Sequence, residues 1–266
     1  MALPILYSAK RIEQQFHTGE EPVLVMCSDV NTYVCKYMRS SATAYKLVCE
    51  LIGARMAKAW HLNTPDIMLV KIKPSHWDGI NLSHSLSAPS LGSRWLDGVI
   101  DITPSTYAKV PATANTLHQL VKIALFDFWI ANEDRNANNA NLMYDVTNDQ
   151  FVSIDYGCIF NTATFDYPLS QLTSTDTILW SDLFAHLKRN LENTCINYIE
   201  ELKQEYDNNI RLCRNLESEI IEEIPQEWNV PHTIVKEKIG QLFEENWTKE
   251  VWNNFIECLN ENINHE

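Results

Sequence analysis

The chain has 266 residues, 45% of them hydrophobic and 21% charged, and its formal net charge is -14. This composition is typical of a globular chain of one large or two small domains. The negative charge repels the phosphates of nucleic acids, so direct nucleic-acid binding is disfavoured. No stretch approaches the roughly 18 apolar residues of a membrane span, and the start lacks the basic region of a signal peptide. We therefore expect a cytoplasmic protein that does not contact membranes.

The first third of the chain is rich in predicted strands. The stretches "VLVMC" from Val23 and "TYVCKYM" from Thr32 flank the polar turn "SDVN", which predicts a hairpin. The stretch "SSATAYKLVCELIGARMAKAWHL" has apolar residues at helical spacing, with Ser40 or Ser41 as the candidate cap. Next, "DIMLVKIKP" predicts another strand, whereas residues 75–115 are predicted to be irregular, with "LGSRWLDG" as the strongest local signal.

The second half of the chain is predicted to be mainly helical. A helix over residues 116–131 ends in "IALFDFWIA", which is apolar nearly all round and should be buried. A short hairpin, "NLMYD" and "FVSIDYG", follows, and the last amphipathic helix is predicted over residues 234–259. This order predicts an α+β fold with two lobes, a small β-rich N-lobe over 1–100 and a larger helical C-lobe over 101–266.

The loop after the buried helix, "NEDRNANNANLM", is crowded with amides and carboxylates and contains no Gly or Pro. Within it, Asp134 and Asn139 are five residues apart, and Asp155 precedes Gly157 on the next predicted hairpin. Two carboxylates and an amide suit phosphoryl transfer. One Asp can orient or deprotonate a hydroxyl, while the Asn and the other Asp hold Mg²⁺ against nucleotide phosphates. The D-x-G after an apolar strand makes this pattern more specific.

A second group of candidate residues lies upstream. Lys36 is the only charged residue inside "TYVCKYM", and Glu50 lies on the helix that follows. A Lys in the middle of a strand needs a partner or a solvent-facing side. In kinases, a strand Lys contacts the nucleotide phosphates and is held by a helix Glu. The alternative is that Lys36 faces solvent while Glu50 pairs with Lys46, four residues before it.

Taken together, these motifs make the chain resemble a HipA-like kinase domain, a bacterial branch of the protein-kinase-like and phosphatidylinositol-kinase-like superfamily. The resemblance rests on "YVCKY", "KLVCELIGARMAKAWHLNTPDI", "NEDRNANNANLM" and "IDYG", and it spans about residues 10–165. It implies a two-lobed kinase fold that uses ATP and Mg²⁺. It also makes "LGSRWLDG" a candidate for the segment that links the lobes, where adenine would bind to the backbone.

The resemblance assigns a role to each residue singled out above. Lys36 would contact the ATP phosphates, and Glu50 would position Lys36. Asp134 would be the catalytic residue. Asn139 and Asp155 would be the Mg²⁺ ligands.

The chain departs from the kinase pattern at three places. No G-x-G-x-x-G precedes Lys36, so the loop covering the phosphates, for which "FHTGEEP" is the candidate, must differ from that of ordinary protein kinases. Relatives often carry His two residues after the catalytic Asp, where this chain has Asn136, which cannot act as a base or a cation. Asn141 competes with Asn139 for the metal, because the spacing from Asp134 favours Asn139 and the following "LM" favours Asn141.

The leading prediction is an ATP- and Mg²⁺-dependent kinase that phosphorylates a Ser or Thr hydroxyl of a protein, with an antitoxin-like protein as a candidate partner. Kinases acting on a lipid or a small-molecule hydroxyl are an alternative. Another is a pseudokinase or a nucleotide-dependent protein-interaction module, which Asn136 favours. A metal-dependent hydrolase is disfavoured, because Asp134 and Asp155 lack the His or additional carboxylates that such sites usually recruit.

Overall fold

The computed structural model describes residues 3–77, 88–189 and 195–264. Within these ranges the chain forms nine strands, seven α-helical segments and five short 3-10 helices. The strands are β1 (Ile5–Tyr7), β2 (Gln14–Gln15), β3 (Val23–Met26), β4 (Thr32–Lys36), β5 (Ile67–Lys71), β6 (Ser90–Arg94), β7 (Val99–Asp101), β8 (Leu142–Asp145) and β9 (Gln150–Ser153). The helical segments are α1 (Ser41–Ala59), α2 (Ala114–Ile130), α3 (Ile159–Ala163), α4 (Asp182–Lys188), α5 (Cys195–Glu222), α6 (His232–Gln241) and α7 (Glu245–Asn264).

The larger sheet has six strands in the order β1-β5-β6-β4-β3-β2. The predicted hairpin is confirmed as the antiparallel pair β3 and β4, with Val25 opposite Tyr33 and Val23 opposite Cys35. These four side chains lie on one face of the sheet and form a buried cluster with Trp77. Side chains alternate along a strand, so Lys36, which follows Cys35 on β4, faces the other side of the sheet, where α1 packs.

Helix α1 begins with a reciprocal cap. The Ser40 hydroxyl accepts from the backbone N–H of Thr43 at 3.3 Å, and the Thr43 hydroxyl accepts from the backbone N–H of Ser40 at 2.8 Å. At the other end of the helix, Trp60 stacks on Trp129 of α2, with ring centroids 5.3 Å apart. The cap therefore sets where α1 starts, and the aromatic contact fixes it to the buried helix α2.

A second, three-stranded sheet has the order β7-β8-β9, and its β8–β9 pair confirms the second predicted hairpin. The expectation that residues 75–115 are irregular is wrong for β6 and β7; residues 78–87 of that stretch lie outside the described part of the chain. Strand β6 contains two Ser and a Gly, which have low strand propensity. Gly92 fits there because an added Cβ would lie 2.8 Å from the Val70 side chain.

The helical C-terminal region covers α2. The single last helix predicted over 234–259 is wrong, since α6 and α7 are separated at residues 242–244. The Leu242 carbonyl accepts from the indole N–H of Trp129 at 2.9 Å, and the Phe243 carbonyl accepts from Arg214. Side chains thus satisfy backbone groups that a continuous helix would use internally.

The fold is α+β, with a β-rich N-terminal region and a helical C-terminal region, as predicted. Across the described ranges, no helix has the length and apolar character needed to cross a membrane.

Gly53 on α1 provides a test of how closely this helix packs on the segment after β9. An added Cβ at Gly53 would lie 2.3 Å from the Cβ of Tyr156, whereas one at Gly240 on α6 would meet no atom within 4 Å. We expect Gly53→Ala to lower the free energy of unfolding by about 1–3 kcal/mol through overpacking. Gly240→Ala should raise it by up to about 1 kcal/mol through helix propensity. Urea unfolding of both variants measures this, and equal shifts would contradict the packing.

Candidate active site

Lys36 joins three separate parts of the chain. It lies at the end of β4, and its Nζ contacts the Glu50 carboxylate on α1 and lies 2.9 Å from Oδ1 of Asp155, after β9. The side chains of Lys36 and Glu50 are 17% and 8% exposed. The solvent-facing alternative for Lys36 is therefore not observed. Nor does Lys46 take the role of partner to Glu50, because its ion pair is with Glu20, at 3.0 Å.

Backbone hydrogen bonds on both sides hold Asp155 in place. Its φ of +60° lies in the left-handed region, which a non-glycine residue occupies only when the surroundings enforce it. On one side, the Ile154 N–H donates to the carbonyl of Asn141 at 3.1 Å. On the other, the Tyr156 N–H donates to Oε2 of Glu50 at 2.9 Å. Glu50 thus supports both Lys36 and the backbone that carries Asp155.

The three charges perturb one another. Burial raises the pKa of Glu50 to about 7, although the Lys36 ammonium opposes that shift. Burial also disfavours the charge on Asp155, but the Lys36 ammonium and hydrogen bonds outweigh it and lower the pKa of Asp155 to about 2. Burial likewise opposes the charge of Lys36, yet its carboxylate neighbours raise its pKa. Lys36 and Asp155 are therefore charged at neutral pH, and Glu50 is the group whose protonation changes near neutrality.

Asp134 lies in the polar loop that follows α2. Its Oδ2 accepts from the amide Nδ2 of Asn141 at 2.8 Å and from that of Asn139 at 3.1 Å. Each amide thereby keeps its Oδ1 as an oxygen that could bind a cation. Asn141 is also tied to the residue before Asp155, through the bond from the Ile154 N–H to its carbonyl. Both candidate ligands thus lie beside Asp134, and Asn141 links Asp134 to the segment of Asp155.

A buried ion pair fixes this loop to helix α2. Nε of Arg135 lies 2.8 Å from Oδ2 of Asp127 on α2, and both side chains are almost fully buried. The Nη1 of Arg135 donates to the carbonyls of Asn141 and Ile154, the latter at 3.2 Å. Sequence reasoning missed this pair. The signal for it was Asp127, a carboxylate inside the apolar stretch "IALFDFWIA", because a buried charge requires a partner.

Asn136 is used within the loop itself. Its Nδ2 donates to the carbonyl of Glu133 at 2.9 Å, and its Oδ1 accepts from the backbone N–H of Asn138 at 3.0 Å. The Glu133 carboxylate accepts in turn from Nδ2 of Asn161 and from the hydroxyl of Thr162, at 2.7 and 3.0 Å. The loop is therefore connected to the left-handed turn at residues 160–163, which follows the D-x-G motif.

A strand Lys paired with a helix Glu, a polar loop leaving a buried helix, and a D-x-G after a strand are the parts of a kinase. The chain belongs to the HipA-like kinase family, whose model matches residues 9–254. No curated protein sequence matches the chain.

A solved kinase structure shares the fold. The chain is similar to the Helicobacter pylori proinflammatory kinase CtkA, with a TM-score of 0.51 and 13% identity over 98% of each chain. It also matches the open conformation of CtTel1, with a TM-score of 0.37 and 10% identity over 91% of this chain and 12% of that one. The FAT and kinase domain of CtTel1 gives a TM-score of 0.35 and 11% identity, over 91% and 22%. At 13% identity, the likeness to CtkA shows the fold alone.

Replacing Lys36 should destabilise the protein in a pH-dependent way. Lys36→Met leaves Glu50 beside Asp155 without a cation, and losing one partner of a buried pair typically costs about 3–5 kcal/mol. In the unmodified protein Glu50, with its pKa raised to about 7, is largely ionised at pH 8 and protonated at pH 5, so its ion pair with Lys36 contributes mainly at the higher pH. The loss of unfolding free energy should therefore be largest at pH 8 and shrink at pH 5.

The matched control is Lys58→Met, which removes an exposed lysine paired with Asp66. It should lower the unfolding free energy by less than about 1 kcal/mol at both pH values, as an exposed ion pair does. Denaturant unfolding at pH 5 and pH 8 compares the two variants. A Lys36→Met effect as small as the control's would mean that the cluster does not stabilise the fold.

Proposed function

We propose that the protein is an ATP- and Mg²⁺-dependent kinase that transfers the γ-phosphate of ATP to a Ser or Thr hydroxyl of a protein. The observation that carries the proposal is the Lys36 ammonium, which contacts both Glu50 and Asp155. These partners are 14 and 119 residues away in the sequence. In kinases, the Lys–Glu pair and the metal-binding Asp must be in place together for transfer to occur.

In the proposed mechanism, each residue acts through an atom already described. The Lys36 ammonium binds nucleotide phosphates, and Glu50 keeps its Nζ in position. Asp134 orients the acceptor hydroxyl and takes its proton through a carboxylate oxygen. The amides of Asn139 and Asn141 hold the Asp134 carboxylate in one orientation, because both donate to its Oδ2.

The available donors fit Mg²⁺. Within the described ranges, no group of three or more His, Cys, Asp or Glu side chains is placed to hold a metal ion. Mg²⁺ does not need such a cage, since it usually binds one or two carboxylates together with substrate phosphates and water. Asp155 and the Oδ1 of Asn141 or Asn139 would hold it. When bound, the ion neutralises the charge on the phosphates.

A second candidate function is a pseudokinase that binds nucleotide without transferring phosphate. Asn136 favours it, because both polar atoms of this side chain are engaged within the loop and neither can supply a base or a cation next to Asp134. A kinase and a pseudokinase would both bind ATP, so only a measurement of phosphoryl transfer distinguishes them. Isotope-labelled ATP with Mg²⁺ and a generic protein acceptor distinguishes them, because a pseudokinase would give bound nucleotide and no labelled protein.

The Asp134→Asn variant tests the catalytic role. The amide keeps the size of the side chain but cannot accept the proton, so transfer should fall about 10²-fold or more. ATP affinity and the unfolding midpoint should stay near those of the unmodified protein. Asp207→Asn, at an exposed site on α5, is the control and should keep full activity. Near-normal transfer by Asp134→Asn would refute the assignment.

The Asp155→Asn variant tests the metal site. Asn at this position can still accept a hydrogen bond from Lys36, but it removes the charge that would bind the cation. We expect ATP affinity to fall by about tenfold or more with Mg²⁺ present. Without Mg²⁺ the change should be much smaller. Calorimetric titrations with and without Mg²⁺ measure both, and equal shifts would make Asp155 only a structural partner of Lys36.

A further inference from the structure

The turn between β2 and β3 brings a carboxylate into the site. It is closed by a hydrogen bond from the Phe16 N–H to the Pro22 carbonyl, at 2.9 Å. Within it, Oε2 of Glu20 lies 3.4 Å from Nζ of Lys36, and Oε1 lies 3.0 Å from Nζ of Lys46. The carboxylate therefore lies between two ammonium groups that come from β4 and α1. This turn is the "FHTGEEP" stretch that the sequence suggests as the cover of the phosphates.

Lys46 points into the same space as Lys36. It lies four residues before Glu50 on α1, yet within the described part of the chain its ion pair is with Glu20 alone. Lys36, in contrast, also has Glu50 and Asp155. If the Glu20 side chain swings away, Lys36 keeps two of these carboxylates and Lys46 keeps none of them. Without Glu20, Lys46 would therefore attract an incoming anion more strongly than Lys36, whose charge is already balanced by two carboxylates.

The ammonium groups of Lys36 and Lys46 could bind a phosphate in the position that the Glu20 carboxylate occupies. Lysine binds phosphate as a compact point charge, and such charge-assisted contacts are stronger than neutral hydrogen bonds. A phosphate and the Glu20 carboxylate cannot share the space, because their like charges repel each other in a partly buried cleft.

The Glu20 side chain has room to move. The Glu20 side chain is 24% exposed, and a Cβ added at its neighbour Gly19 would meet no atom within 4 Å. The backbone on either side of Glu20 is anchored separately, since Arg39 lies 3.1 Å from Oε2 of Glu21 and donates to the Gly19 carbonyl at 3.0 Å. Glu20 can therefore leave the two lysines while Arg39 still holds the turn.

We propose that Lys46 is a second phosphate-binding residue, and that the Glu20 carboxylate competes with the nucleotide phosphates for the position between Lys36 and Lys46. The proposal rests on the proposed kinase function and deepens it. Ordinary kinases cover the phosphates with a glycine-rich loop. Here the covering turn carries an internal competitor, and nucleotide binding includes the displacement of Glu20.

The test is ATP affinity of the full chain, measured by calorimetry for variants that change one charge each. Glu20→Gln removes the competitor and should tighten ATP binding, by about threefold to tenfold. Lys46→Met removes a phosphate contact but keeps most of the aliphatic packing, and should weaken ATP binding by about tenfold. Glu13→Gln is the control, because it deletes an equal charge in the same region at a residue paired with Lys10, and should leave the affinity unchanged.

Adenosine, which has no phosphates, serves as the matched ligand. Its affinity should be the same for all four proteins, whereas a merely structural effect of either substitution would change ATP and adenosine binding together. Thermal unfolding checks that each variant is folded, and Lys46→Gln replaces Lys46→Met if the latter is not. Unchanged or weaker ATP binding by Glu20→Gln, or unchanged ATP binding by Lys46→Met, overturns the proposal.

Failure of this proposal can be told apart from failure of the kinase function. If the unmodified protein binds ATP, and Asp134→Asn abolishes its phosphoryl transfer, the proposed function stands whatever the Glu20 variant does. If neither the unmodified protein nor Glu20→Gln binds ATP, the proposed function and the competing role of Glu20 are both wrong.

Discussion

The arrangement of the site depends on one ammonium group surrounded by carboxylates. Removing Lys36 and Glu50 from water is unfavourable, and the cost is offset only if the charges meet in good geometry with further hydrogen bonds. That requirement couples β4, α1 and the segment after β9. Glu50 meets it twice, because its second oxygen accepts from the backbone N–H of Tyr156 at 2.9 Å. A shift of α1 along its axis would therefore disturb Lys36 and Asp155 together.

A second buried pair does the same for the loop that carries Asp134. Asp127 on α2 and Arg135 on the loop are buried together, and Arg135 also donates to backbone carbonyls on either side of the site. These contacts help hold Asn141 and Asp155 in the left-handed conformation, with φ of +44° and +60°. Such conformations are unfavourable for non-glycine residues and persist where the surroundings determine them fully. The buried Asp127–Arg135 pair thus supports backbone conformations that glycine usually adopts.

Close packing then joins the two charged clusters. Gly53 lets α1 approach Tyr156 so closely that a methyl group would not fit, and the ring of Tyr156 lies under the Arg135 guanidinium at 5.4 Å. One tyrosine therefore contacts the helix that carries Glu50 and the arginine that supports Asp134. Its backbone N–H meets Glu50 as well, so the D-x-G segment connects both halves of the site.

Local sequence determined the elements whose own residues favour one conformation. The sequence predicted the β3–β4 hairpin, the capped helix α1 and the buried helix α2, because periodicity and caps are properties of neighbouring residues. Motif spacing is also such a property, and it gave the order of Lys36, Glu50, Asp134 and Asp155. Strand β6 was missed because Ser and Gly gain a strand conformation only from the strands beside them. The break between α6 and α7 was missed because it depends on Trp129 and Arg214, which are distant in sequence.

For the candidate site, too, some features could be predicted from the sequence and others depended on the tertiary structure. The candidate residues Lys36, Glu50, Asp134 and Asp155 could be named from the sequence, because they follow the order of the kinase motifs. Asp127, a carboxylate in an apolar stretch, was a signal for a buried partner that the sequence does not identify. Only the tertiary structure decided that this partner is Arg135, that Lys46 turns to Glu20 instead of Glu50, and that both candidate amides meet one oxygen of Asp134. Electrostatic partners are chosen by distance in the folded state, and distance between residues far apart in the chain is set by the packing of the whole molecule.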